Sequence, residues 1–178
     1  MEVLTHLRLM AGYNLRMNRQ VYAGAASLSD EQLNKPLGAY FGSVLGTLNH
    51  IMVGDLLWLH RFRRHSEAYL SLQALKELPQ PTTLDTVIYD RFGALGAARS
   101  IVDEAILTWV SEELKPAELS QLLSYQNAKG EAATRDFGEL ICNLFNHQTH
   151  HRGQVSTLLS QLGVDIGPTD FLLDIPQQ

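Results

Sequence analysis

Four stretches of the chain place apolar residues at steps of three and four, the period of an amphipathic helix. The first runs from about Glu2 to Ala26, with Val3, Leu7, Met10, Asn14, Met17 and Val21 near one face. Ser29-Asp30-Glu31-Gln32 has the form of a capping box opening a short helical turn, and Lys35-Pro36-Leu37-Gly38 reads as a loop. Ser43 is placed to cap a second helix reaching about His65, apolar nearly all round and therefore expected in a core. Leu78-Pro79-Gln80-Pro81 breaks the chain, and Thr82 or Thr83 can start a third helix ending near Glu113. Between Pro116 and Arg135 the helical period is lost. Leu122-Leu123-Ser124-Tyr125 and Glu131-Ala132-Ala133-Thr134 flank Asn127-Ala128-Lys129-Gly130, as in a short β-hairpin or extended loop. Asp136, with Glu139 three residues later, opens the fourth helix, which Gly163 and then Pro168 close. The apolar tail from Gly167 to Pro176 is expected to pack on the bundle or on a partner. The pattern predicts an all-α fold, a four-helix bundle with a hairpin or loop insert before its last helix, as one domain over residues 1–178.

Chemistry concentrates in the fourth helix. Leu140, Leu144, His147, His151, Val155, Leu158 and Leu162 fall within about 80° of one another on a helical wheel. Two imidazoles spaced i, i+4 therefore occupy positions where core residues are expected, and His150 lies on the flank of that stripe. Burying two imidazoles without partners strips polar groups of their water; one shared metal ion satisfies both. A third ligand from a facing helix would complete a three-ligand site with open positions.

Among the remaining histidines, His6 lies near a terminus, and His60 and His65 sit among Arg61, Arg63 and Arg64, where a solvated face is expected. His50 lies inside an apolar run and shares a face with Gly46, Val53, Gly54 and Leu57, where the two glycines leave space for a bound atom or water. It is the favoured third ligand. Asp55 is about 140° around the helix from His50. It is expected either to orient a ligand imidazole or to pair with an arginine such as Arg152 and hold helices in register. Asp55, His150 and Tyr125 are the candidate general bases.

Composition narrows the alternatives. The 178 residues are 45% apolar and 19% charged with a net charge of −5, ordinary for a soluble globular chain. With no basic cluster beyond Arg61, Arg63 and Arg64, nucleic-acid binding is disfavoured. Cys142 is the only cysteine, which excludes an internal disulfide and fits a reducing cytoplasm. About 140° around the helix from His147, it is a poor ligand and reads as a small buried hydrophobe. The start, Met1-Glu2-Val3-Leu4-Thr5-His6, lacks the pattern of a signal peptide, and the apolar run from Ile51 to Leu59 is too short to span a bilayer. A cytoplasmic location is expected.

The sequence resembles the DinB family, within the DinB/YfiT-like superfamily of metal enzymes. The resemblance covers essentially the whole chain. It rests on Tyr13-Asn14, on Leu48-Asn49-His50 with Asp55 and Trp58, and above all on the run from Phe145 to Gln154 containing Asn146-His147-Gln148-Thr149-His150-His151. It implies a bundle holding a divalent metal on His50, His147 and His151, and a homodimer. Related branches include transferases and isomerases that use low-molecular-weight thiols, and metal-binding domains of sulfoxide synthases. Gly153 stands where the synthase-type pattern has Glu, which argues against that branch. The leading expectation is a divalent-metal-dependent enzyme acting on a small molecule, a thiol-dependent S-transferase or a hydrolase. All-nitrogen ligation suits Zn, Ni, Fe or Cu, with Zn and Ni foremost and Mn a further option. The alternatives are a non-catalytic metal or small-ligand binding protein of the stress response, and a bare helical scaffold in which the histidines only hydrogen-bond.

Overall fold

The computed structural model describes residues 2–127 and 129–177. Met1, Ala128 and Gln178, and with them part of the expected turn at Asn127-Ala128-Lys129-Gly130, lie outside the described residues. Four long helices dominate: α1 (Val3–Ala25), α2 (Val44–Phe62), α3 (Phe92–Thr108) and α4 (Phe137–Gln161). Helix α4 packs against both α1 and α2, and α3 packs chiefly on α1. The common core includes Leu7 and Val21 of α1, Met52 and Leu56 of α2, Val102 of α3, and Ile141 and Leu144 of α4. Among the described residues, no helix is long and apolar enough to cross a membrane.

The helix starts follow local chemistry. Ser29 and Gln32 form a reciprocal capping box on the short helix Asp30–Asn34. The Ser43 side chain accepts from the Gly46 amide at the start of α2, and Asp136 accepts from the Glu139 amide at the start of α4. Nearly every position of α2 is buried, as its composition requires. Gly163 takes a φ of 79° just past α4, where the chain turns back and the Val164 amide bonds the Leu159 carbonyl. The loss of helical period before α4 corresponds to an antiparallel hairpin, β1 (Leu122–Gln126) and β2 (Ala132–Asp136), with Tyr125 opposite Ala133.

The third helix starts ten residues later than Thr82. The segment from Pro81 to Arg91 is irregular and is held along α2 by one side chain. Asn49 accepts from the Ile88 and Tyr89 amides (3.1 and 3.0 Å) and donates to the Tyr89 carbonyl (2.9 Å). Backbone groups satisfied in this way have no need of a helix. Beyond Thr108 the helix widens into a π-turn, Trp109–Glu113.

Three further expectations change. Cys142 is exposed, because it lies on the side of α4 opposite the histidine stripe. His60 is buried, because the chain after α2 folds back over its end and the Pro79 carbonyl meets His60 Nε2 at 3.4 Å. His65 stacks on Phe137, with ring centroids 4.1 Å apart. The tail packs on its own bundle: Phe171 meets Tyr13 edge-on, and Asp174 pairs with Arg16 at 2.6 Å.

Candidate metal centre

Helices α2 and α4 carry His50, His147 and His151 to one point. His50 Nε2 lies 3.1 Å from both His147 Nε2 and His151 Nε2, and one ligand atom from each of the three lies within 4.8 Å of the others. Gly54 makes the approach possible. A Cβ at that position would stand 2.5 Å from His147 Cε1, so only glycine lets the imidazole lie against the α2 backbone. The space at Gly54 is therefore taken by His147. The space at Gly46 is taken by the Phe41 carbonyl, which crosses the helix closely enough to exclude any Cβ. That crossing lays the Phe41 ring flat on His50, with centroids 3.7 Å apart.

The outer nitrogens of two imidazoles are already engaged. His50 Nδ1 is 3.0 Å from the Leu84 carbonyl, which accepts only, so this nitrogen carries the proton. His151 Nδ1 meets Gln154 Oε1 at 2.8 Å in the same sense. Both Nε2 atoms therefore present lone pairs to each other at 3.1 Å, an arrangement that is repulsive unless a cation lies between them. A proton does not serve at neutral pH. Burial, reinforced by His151 and His50, pushes the His147 pKa down to about 3, and burial lowers those of His50 and His151 as well. Nitrogens at this separation can share one ion at ordinary bond lengths of about 2.0–2.1 Å. Imidazoles whose far nitrogen donates to a carbonyl or amide oxygen are the usual state of metal ligands. The cluster could hold a metal ion.

It sits in the wall of an open cavity of about 630 Å³, within the usual size range of small-molecule sites. Gly54, Leu57 and Trp58 of α2 form one side, and Tyr125 of the hairpin another. His150 is exposed at its edge, with Nε2 3.3 Å from Gln154 Nε2. Asp55 does not line the cavity. It is fully buried in the core and pairs with Arg99, which also meets Asp103 at 2.9 Å. Arg152, the partner expected for Asp55, instead donates to Asn14 and to Gln148 (2.9 Å). Burial raises the pKa of the Asp55 carboxyl while Arg99 draws it back down. Of the three candidate bases, then, His150 and Tyr125 stand at the cavity and Asp55 is enclosed behind it.

The DinB family model matches residues 1–178. The chain belongs to the DinB family. It is 27% identical over 161 residues to Protein DinB of Bacillus subtilis (strain 168), a match covering 89% of this chain and 87% of that one. It shares its fold with a DinB-like protein from Bacillus cereus ATCC 10987 known from a crystal structure. The TM-score is 0.52, covering 85% of this chain and 89% of that chain at 18% identity.

Several residues that shape this DinB-family site escaped the sequence reading. Gln154 had a legible signal, since it lies one turn beyond His151 on the same helix. Phe41 and Leu84 had none, because each acts through a loop whose path is set by packing, and Asn49 stood out only as part of the motif Leu48-Asn49-His50. Arg99 is visible only as the one basic residue of an otherwise largely apolar helix that also carries Asp103 and Glu104.

Proposed function

We propose that this DinB-family chain is a divalent-metal enzyme whose ligands are His50, His147 and His151, acting on a small molecule in the adjoining cavity as a thiol-dependent S-transferase or a hydrolase. The observation that carries the reading is the pair of proton-fixed imidazoles presenting lone pairs to each other beside an open pocket. A divalent ion there would lower the pKa of a thiol or water brought to it, which supplies a nucleophile at neutral pH. The chain's own groups supply the rest. Leu84 and Gln154 hold two ring tautomers, Phe41 and Gly54 fix ring positions, and the walls at Leu57 and Trp58 exclude water from one side of the substrate. His150, exposed at the rim, is the group best placed to accept a proton. Zn or Ni is the proposed ion, from the all-nitrogen donor set.

Elemental analysis of the untagged protein beside His147→Ala tests the metal. We expect near-stoichiometric metal in the wild type and none in the variant. No metal in either protein after dialysis against Zn, Ni, Mn and Fe(II) would end the reading. The competing role as a metal or small-ligand binding protein predicts an ion that accepts no exogenous ligand. Adding a small thiol to the Co(II)-loaded protein separates the two, since a sulfur-to-cobalt charge-transfer band appears only if a coordination position is open.

A further inference from the structure

Arg61 stands on the same face of α2 as His50, three helical turns and about 16 Å further along the axis, and it lines the same cavity. Its guanidinium carbon lies 4.7 Å from the Trp58 ring centroid and 5.1 Å from that of Tyr125, two rings that meet edge to face. One nitrogen, Nη2, donates to the Gln126 carbonyl at 2.9 Å. The plane of the guanidinium is therefore set by two aromatic contacts and one hydrogen bond, and most of its five N–H donors remain to be used.

No carboxylate answers this charge. Arg16, Arg19, Arg91 and Arg99 each face an aspartate or glutamate, but among the described residues none pairs with Arg61, and no acidic side chain lines the cavity. Arg61 is half-buried, so water compensates it only in part, and burial lowers its pKa. Arg63 and Arg64 line a separate surface depression, which leaves Arg61 as the sole arginine or lysine of the described cavity wall. A lone, oriented guanidinium beside apolar walls suits one planar, singly charged group.

We propose that Arg61 binds the carboxylate of the substrate. The substrate is then an elongated small acid, with its charged end at Arg61, its apolar body along Leu57, Trp58 and Tyr125, and its reacting group at the histidines. This rests on the reading of the cavity as the substrate site and adds the substrate's chemical class. It does not depend on which metal is bound.

Calorimetric titration with 3-phenylpropionate and its neutral amide tests it, using wild type, Arg61→Gln and Arg61→Lys, each as purified and after metal removal. The acid should bind wild type about tenfold more tightly than the amide in both metal states. Arg61→Gln should lose that preference while keeping its affinity for the amide and its metal content, and Arg61→Lys should keep part of the preference. Equal binding of acid and amide to wild type overturns the proposal, as does a preference that survives in Arg61→Gln, or no binding of either compound. A preference confined to the metal-loaded protein also overturns it, because the carboxylate would then be on the ion. A wild type that takes up no metal under any loading condition yet still selects the acid through Arg61 would sink the metal reading and leave this one standing.

Discussion

Two polar clusters share helix α4 and differ in one respect. His147 and His151 face the cavity, while their immediate neighbours Gln148 and Arg152 face the core. In the core cluster donors meet acceptors. Arg99 pairs with Asp55 and Asp103, Asn18 donates to Asp103 at 2.8 Å, and Arg152 donates to Asn14 and Gln148. Two arginines balance two aspartates, and the groups come from all four long helices. In the histidine cluster acceptors meet acceptors, and the charge that would reconcile them is not part of the chain. A network in which opposite charges pair specifies how helices pack, whereas one in which acceptors face acceptors keeps binding capacity in hand. The contrast fits a packing role for the first cluster and the proposed metal binding for the second.

Breaking the charge-paired side should have the largest effect. Arg99→Ala leaves Asp55 and Asp103 buried without their cation and should cost about 3–5 kcal/mol in urea unfolding. A loss below about 1 kcal/mol would mean that the core cluster is not what holds the helices together. Gly54→Ala should have the opposite profile. Its Cβ displaces the His147 ring, so metal content should collapse, while the strain of one added methyl costs about 1–3 kcal/mol of stability. Retention of full metal content in this variant would remove His147 from the ligand set. Gln154→Leu frees the His151 tautomer and should weaken metal binding about 10- to 100-fold in a competition titration, with little change in melting temperature.

The smallest effect concerns a histidine that belongs to neither cluster. Burial holds the His60 pKa below its ordinary 6.5. As pH falls below 6.5 the unfolded chain takes up this proton before the folded one, so stability present at neutral pH is lost toward acid. His60→Gln should flatten the fall in stability below pH 6.5 relative to wild type, as read from unfolding midpoints at a series of pH values. An unchanged slope would show that His60 is solvated in the folded protein after all.

Much of this arrangement was legible in the chain, for a physical reason. Helical period and capping are local, so the four long helices, the start of α4 at Asp136 and the hairpin before it follow from residues a few positions apart. The i, i+4 spacing likewise puts His147 and His151 on one face whatever the tertiary fold, whereas the space expected at Gly46 and Gly54 for a bound atom or water is filled by the Phe41 carbonyl and the His147 ring. The same periodicity misplaced the buried centre of α4, which runs through Gln148 and Arg152 as well as the apolar positions. Those two residues are polar, and their burial is explained only by their bonds to Asn14 and Asn18 of α1.

What packing alone decided are the partners that lie far along the chain. Asp55 was assigned a role beside the histidines or with Arg152, and it found Arg99, 44 residues away. The start of α3 moved because Asn49 ties down Ile88 and Tyr89, which also delivers the Leu84 carbonyl to His50. Arg61 became a cavity residue because the hairpin brings Tyr125 and Gln126 across to it. A sequence read alone fixes which face a side chain occupies, because helix geometry is local. Whether that face meets a carboxylate, a carbonyl or open space depends on loops and helix crossings, and these are set by the packing of the whole core.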